Sequence, residues 1–521
     1  MIDRRNFIKG LALIGLSPTV FSEKKSSSVH LSLYEDEVKI AHQLRDHKLI
    51  ANALKTTKSS IHTDVLIAGG GVGGLSCARL LEKHNRDFLV LDPANEVGGT
   101  SASMPFENKQ LPSGAHYVMM ANSYAKELCQ FYHENNIIEN YVDELAQYNS
   151  SLIINDDDTK ERSYYNQKWS LEIGEYFHSP TLILKKFKEF CRFLSTLKGS
   201  DNKLWFSLPS GFSSKDPKAL ALFDLNFVDY LKQNEMWDSE VEYVVNYACM
   251  DDYGCLAHQV SAWVGLHYFA CRNQNVTQYT LSSEKGNGFL VDALISKITA
   301  TKLSTKSVLL HSIKEKDLHK SLIYKDNKFQ FVYSKHLVFA GKSHALPYIF
   351  PQASIHQVKQ AKSRQQVPWL ITQLAFQLPK NYPLSYLCWD NVSKTADSVG
   401  YIASNYFQKS FQNPLVLTHF YPTMAKRNLN SRDLYKLSMD DLKILVLEDF
   451  EQISPELIPY LKSMRFKRSG HAMAICPPNY QLPSIQKQVK SSIVLANCDS
   501  YGLPLFEEAF QAGVDAFYAI T

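Results

Sequence analysis

The 521-residue chain lacks several features that would fix its class at once. Its nine cysteines (Cys77, Cys129, Cys191, Cys249, Cys255, Cys271, Cys388, Cys476 and Cys498) contain no C-x-x-C pair and no Cys/His cluster at zinc spacing, so no metal site is indicated. Their odd number and irregular spacing argue against a disulfide framework and favour small buried hydrophobes. No internal repeat or low-complexity linker separates the chain into visible modules. The excess of base over acid is small, 56 Lys and Arg against 52 Asp and Glu, and no basic aromatic-rich module is present, which sets nucleic acid aside as a partner. What the chain has is length and rings. At roughly two to three times the usual domain size it divides into two domains. Its 45% hydrophobic and 21% charged content, with 28 Tyr and 28 Phe, describes an ordered protein with apolar surface to enclose.

The first residues read as an address. Arg4 and Arg5, then Asn6, Phe7, Ile8, Lys9 and the short apolar run LALIGL, resemble a twin-arginine export signal. The run is too short to span a bilayer. Such a signal exports proteins already folded, which implies recognition by the twin-arginine machinery, a periplasmic destination and a cofactor loaded in the cytosol. No A-x-A triplet follows, so retention as an N-terminal anchor is the alternative to cleavage. Residues 1–28 are read as signal and spacer, and 29–62 as a helical packing extension in which Val38, Ala41 and Leu44 recur near helical spacing.

Residues 63–92, TDVLIAGGGVGGLSCARLLEKHNRDFLVLD, form a strand, a glycine turn, a helix and a second strand ending in an acid. Gly69 permits the tight turn, Gly71 lets the backbone approach a pyrophosphate, and Gly74, beside Gly73, allows helix and strand to pack closely. The helix N-terminus then faces phosphate. Asp92, eighteen residues after Gly74, is placed to accept hydrogen bonds from ribose hydroxyls. A second glycine pair, Gly98 and Gly99, follows in PANEVGGTSAS, and Gly114 follows in SGAHYV. Residues 321–340, SLIYKDNKFQFVYSKHLVFA, read as a hairpin of two β-rich runs around a DNK turn, 438–451 and 455–463 read as helices, and far downstream IVLANCDSYGLPLFEEAFQAG repeats the order strand, acid, helix.

With these segments the chain resembles the flavin-containing amine oxidase superfamily. There the GG pair lies along the pyrophosphate of FAD, a later glycine patch nears the flavin, and the closing motif brings a helix N-terminus to the flavin end. The resemblance implies an α/β fold: a Rossmann-like, GR2-type FAD-binding domain built from 63–150, 283–345 and 464–521, interleaved with an α+β substrate domain from 151–282 and 346–463. It implies that Asp499 binds the ribityl chain or pyrophosphate and that Gly502 begins the helical approach. The stretches DDYGCLAHQVSAWVGLHYFACR (251–272), VPWLITQLAFQLP and SGHAMAICPPNY are most similar to a twin-arginine-exported, spermidine-dehydrogenase-like branch. Two departures stand out. Thr100 takes the place of the arginine that usually follows GG, and Ser469 that of an aromatic before Gly470 and His471.

The chemistry this implies is hydride removal from the carbon beside a neutral amine nitrogen, a polyamine included, giving an imine that hydrolyses. Relatives place a lysine near flavin N5, and Lys342 at the end of LVFAG is the candidate, with a solvated strand-end lysine as the alternative. His471 is the second catalytic candidate, against a histidine bonded to backbone. His116 and Tyr117 share that ambiguity. Trp263, Tyr268, Trp389, Tyr421 and Tyr501 could wall an amine pocket by offering π faces to an ammonium. Asp251 and Asp252 are either anchors for a polyamine's distal charges or a solvated turn. Oxygen, a quinone or a cytochrome would reoxidise the flavin. The stripe Ile183, Phe187, Phe190, Cys191 and Leu194 faces a core, with membrane contact as its other reading. Two rivals are a flavin desaturase or oxidase of an apolar ring or isoprenoid, and a degenerate flavoprotein acting as a binding partner.

Overall fold

The protein is described here from a computed structural model covering residues 29–34, 38–142, 145–154, 160–165, 168–171, 180–273, 280–382, 387–408, 413–480 and 493–521. The apolar run VLIA leads the strand Ser60–Ala68 into the middle of a sheet. Phe88–Leu91 pairs with it on one side and Lys328–Phe339 on the other, both in parallel. Val65, Leu66 and Ile67 are fully buried, as a parallel strand covered on both faces requires. Beyond Lys328–Phe339 the sheet continues antiparallel through Leu318–Lys325 to Ser307–Glu315. The DNK turn predicted for this hairpin is present, with Asp326 and Asn327 at φ 48° and 60°, the left-handed pair that a tight hairpin uses.

Segments from early and late in the described chain meet on this sheet. Val494–Leu495 adds in parallel to Lys328–Phe339, and the helix Phe506–Ile520 lies against the helix Val72–Lys83. The contact is backbone to backbone, since a side chain on Gly513 would come within 2.1 Å of the Gly73 carbonyl oxygen. Ser76 Oγ donates to Phe510 O at 2.9 Å across it.

The second domain is an eight-stranded sheet in the order His30–Leu33, Leu461–Ala474, Gln366–Phe376, Leu415–Pro422, Tyr401–Ala403, Asp390–Ser393, Glu161–Tyr165, Lys168–Leu171. A helical layer covers one part of it. Leu184, Phe187, Cys191 and Leu194 of the helix Leu182–Thr196 are buried in a core with Phe227, Val241 and Trp263, so that stripe is a core face, with Ile183 and Phe190 at its margin. The helix Ser239–Tyr253 is started by Asp238, which accepts from the Glu240 and Val241 amides. Gly254 stops it at φ 68°, where a side chain would strike the Trp369 indole. Its final turn therefore delivers Asp251 and Asp252 to the interior. Among the described residues no helix is long and apolar enough to cross a membrane.

Several boundaries differ from expectation. The segment 29–62 is not wholly helical: His30–Leu33 is a strand and the nucleotide strand already begins at Ser60, while the expected helical part is Val38–Ala41, the 3-10 turn His42–Arg45 and the helix His47–Thr56. The boundary expected at 464 falls inside Leu461–Ala474, which belongs to the substrate-domain sheet, so the chain rejoins the nucleotide domain only near 493. The boundary expected at 345 falls short, because Leu346, Ile349, Phe350 and Ala361 pack with Leu66 and Phe339 of the nucleotide sheet. Residues 455–463, expected as helix, are a 3-10 stretch Pro455–Tyr460 that hands over to strand at Leu461. The expected signal at 1–28 lies outside the described residues.

Candidate active site: a dinucleotide groove joined to an acidic pocket

A groove of about 360 Å³ runs between the domains along the glycine turn. Gly69, Gly71 and Gly73 line it, with Asp92, Gly98, Gly99 and Thr100 on one side and Lys342 and Asp499 on the other. The glycines do different work. Gly69 sits at φ 117° with Ala340 carbonyl carbon 2.6 Å from where its Cβ would be, so no other residue fits. A side chain on Gly74 would lie 1.9 Å from Gly69 O and one on Gly73 2.0 Å from Ala496 O, which makes these two packing glycines. Gly71 differs: a side chain there would meet no protein atom within 4 Å and would project into the groove. That open approach, at the N-terminus of Val72–Lys83, is what a pyrophosphate requires.

Asp92 is held for its task. Its carboxylate accepts from the Gly70 amide at 2.7 Å and from the Ala94 amide at 2.8 Å. The Gly98 amide donates to Gly70 O at 2.7 Å, which ties the second glycine pair to the first turn. Gly114 is fixed against Thr100, whose carbonyl accepts from the Ala115 amide at 2.8 Å. Asp499 lines the opposite wall. Burial pushes its carboxyl up, but Lys342, Arg364 and the Ser343 amide outweigh this and hold it below the usual range. Gly502, at φ 105°, is not on the groove wall; it turns the chain behind it. These residues together fit a dinucleotide.

A second cavity of about 110 Å³ opens off the groove, sharing with it Thr100, Ala115, Ser469, Ala472, Cys498 and Phe506. Trp369, Ile371, Phe420 and Met473 make its walls apolar, and Tyr117, Asp251, Asp252, Arg272 and Glu507 close its far end. Tyr117 Oη lies 2.6 Å from Asp251 Oδ2 and 3.0 Å from Asp252 Oδ1. Arg272 pairs with Asp252 at 2.8 Å while its guanidinium stacks 3.6 Å over the Tyr268 ring. Burial pushes both aspartates up, opposed at Asp251 by the Tyr117 hydrogen bond and at Asp252 by Arg272. Burial also pushes Glu507 up to about 7 and Glu508, bonded behind it to Ser210, up to about 8. His116 is pushed down to about 4 by burial and stacks 4.2 Å from Phe420, so it adds no positive charge. Among the described residues lining the pocket, Arg272 is thus the one cation beside three carboxyls, an imbalance that an incoming cation would relieve.

The two catalytic candidates from the sequence lie on the groove, not in the pocket. Lys342 Nζ donates to Ala472 O at 2.8 Å, which joins the end of a nucleotide strand to the substrate sheet. His471 lies against His344, the rings tilted by 39° with centroids 4.2 Å apart; burial and then the His344, Lys342 and Arg45 charges push it down to about 4, leaving a neutral ring. Of the aromatics considered, none lines the pocket. Trp263 and Tyr421 are in cores, Trp389 packs behind His116, Tyr268 holds Arg272, and Tyr501 Oη donates to Asp515.

Three residues escape sequence reasoning. Arg364 is buried and donates to the carbonyls of Ile475, Asp499, Ala474 and Gly502, clamping the closing loop. Lys467 is 7% exposed on the groove wall and donates to Ser113 Oγ, a pocket-lining residue, at 3.0 Å. Arg272 completes the pocket end. All three act across the fold, and only the alternation of Lys467 with buried Phe466 and Met464 hints at which way it points.

The NAD(P)-binding Rossmann-like domain family matches residues 67–134. Over 59 residues, 11% of this chain and 11% of the relative, the chain is 39% identical to the flavin-containing amine oxidase A of Canis lupus familiaris. Over 75 residues, 14% and 13% of the two chains, it is 33% identical to the same enzyme of Equus caballus. The chain thus spans only about an eighth of these curated relatives. The likeness in fold is far wider. A putrescine oxidase solved with putrescine bound superposes with a TM-score of 0.63 at 12% identity, over 87% of this chain and 98% of that one. Cyclohexylamine oxidase from Brevibacterium oxydans IH-35A superposes with a TM-score of 0.61 at 12% identity, over 88% and 98%. The chain therefore carries a Rossmann-like dinucleotide-binding domain within the two-domain α/β fold of these amine oxidases.

Proposed function

We propose that the protein is an FAD-dependent oxidoreductase acting on an amine, and on a di- or polyamine in particular. The observation that carries the reading is the continuity of a dinucleotide groove with a pocket whose far end is made of the half-buried Asp251 and the buried Asp252. FAD, when bound, supplies the acceptor for a hydride from the carbon beside the amine nitrogen. In this chain Gly71 and the helix N-terminus behind it would hold the pyrophosphate, Asp92 the ribose hydroxyls, and the Asp499 wall the remainder. Asp251 and Tyr117 hold a distal ammonium at the pocket's end, with Arg272 fixing Asp252 so that one carboxylate is left for the substrate. The apolar walls Trp369, Ile371 and Phe420 seat the methylene chain and exclude water. The reacting nitrogen must be neutral before the hydride leaves the carbon beside it. The product imine is hydrolysed after release, and oxygen, a quinone or a cytochrome removes the electrons.

Folded export fits this reading. A groove lined by segments from early and late in the chain is best filled before translocation, and Arg4 and Arg5 supply the signal for a periplasmic destination by the twin-arginine route. Replacing both by lysine should leave the loaded protein in the cytosol, as seen by fractionation.

The experiment for the central reading is anaerobic addition of monoamines, diamines, triamines and apolar ring compounds to the purified protein, followed by its visible flavin absorbance. Bleaching by the di- and triamines first supports it. Bleaching by ring compounds alone would replace it with the oxidation of an apolar ring, and no bleaching by any compound would leave a binding protein.

A further inference from the structure

The described residues before the glycine turn are anchored on both domains and border the groove. At one end His30–Leu33 extends the substrate-domain sheet in parallel with Leu461–Ala474, and the Tyr34 amide donates to Phe466 O at 2.8 Å. Arg465 Nε adds a bond to Ser32 Oγ at 3.2 Å. At the other end the helix His47–Thr56, capped by Asp46 on the Leu49 amide, buries Ile50 and Ala53 against Leu310, Leu322 and Phe331 of the nucleotide domain. Leu44, just before it, packs against the same domain. Between these anchors Tyr34 and Ala41 line the groove itself. The Tyr34 ring lies 5.8 Å from Lys467 Nζ, and His42 lies edge-on to Tyr435, another groove residue, at 6.3 Å.

We infer that residues 30–34 and 38–56 act together as a strap that is part of the cofactor site: Tyr34 and Ala41 contact the bound cofactor, and the strap's two anchors set how fast that cofactor leaves. This rests on the FAD reading of the groove. A cofactor under a segment anchored on both domains cannot depart until one anchor releases, so retention follows anchor strength and not groove contacts alone. The reverse also holds. An empty groove removes the partner of Tyr34 and Ala41, so the strap opens more often and its exposed bases become accessible to protease.

The test uses the full chain isolated with its flavin and the same chain after the flavin has been removed reversibly. Arg45 and Lys48 are exposed, so trypsin reports on the strap directly. Cleavage there should be slowed about tenfold by FAD, and Tyr34→Ala should release flavin fluorescence about tenfold faster with an unchanged circular dichroism spectrum, a change of about 1.4 kcal/mol. Ile50→Asp, which attacks the anchor and touches no groove residue, should release it faster still. Equal cleavage with and without flavin, together with wild-type release from both variants, would overturn the strap while leaving the FAD reading intact. A wild-type chain that takes up no flavin would instead remove the FAD reading, and the strap's role with it.

Discussion

The groove and the pocket share a wall yet are built by opposite means. The groove is backbone: Gly69, Gly71, Gly98 and Gly99 bring main chain to its surface, and Asp92 and Asp499 are fixed by main-chain amides. The pocket is side chain: Tyr117, Asp251, Arg272, Ile371, Phe420 and Glu507 converge from segments scattered over most of the sequence. The difference teaches what each can tolerate. Backbone surfaces fail sterically, whereas a side-chain surface can be retuned group by group without loss of the fold.

The sharpest way to break this contrast is within the glycine turn. Gly74→Val puts carbon against Gly69 O and should cost about 3 kcal/mol or more of stability together with all bound flavin, measured by thermal melting and flavin content. Gly71→Val, by contrast, meets no protein atom, so it should keep the melting temperature of the apoprotein and lose only the cofactor. Should both variants melt alike, the assignment of Gly71 to the ligand and Gly74 to packing is wrong.

On the pocket side, Asp251→Asn should raise KM for a diamine about a hundredfold, the ~2–3 kcal/mol of a buried charge-assisted contact, and leave a monoamine of similar length nearly unchanged. An equal loss on both substrates would move Asp251 from recognition to architecture.

A smaller effect concerns stability against pH. Glu507 and Glu508 are pushed up to about 7 and about 8 in the folded protein, so they are most compatible with the fold when protonated. Their favourable contribution is complete below the ordinary carboxyl range near 4.5 and is lost as pH rises through 7 and 8. Glu508→Gln keeps an acceptor for the Ser210 amide and removes the charge, so it should raise the melting temperature at pH 9 by more than at pH 5; equal shifts would contradict the burial.

The groove could be read from sequence because its motif is local: strand, glycine turn, helix and acid lie within thirty residues, and the close approaches of Gly74 to Gly69 and of Gly70 to Asp92 fall inside that unit, whereas the packing of Gly69 on Ala340 and of Gly73 on Ala496 does not. The hairpin at Asp326 and Asn327 was legible for the same reason. His30–Leu33 was not, since four residues of mixed polarity become a strand only by pairing with Leu461–Ala474 at the other end of the chain. That partner was itself assigned to the wrong domain, because its proximity in sequence to the closing motif says nothing about its sheet. Aromatic residues misled for a further reason. Trp263 and Tyr421 are large enough to form a core, and their composition does not distinguish that from a pocket wall. Arg364 and Lys467 carry charges that the sequence shows as ordinary surface, and only the fold turns them inward.

The central claim is that segments from early and late in the chain enclose FAD in one groove that opens onto the acidic pocket. Absorbance of the natively isolated protein tests it most directly: one flavin per chain, retained through gel filtration and shifted in its visible spectrum by a diamine, is the expected result. A colourless protein that takes up no added FAD, or a bound flavin whose spectrum ignores every amine, would contradict it.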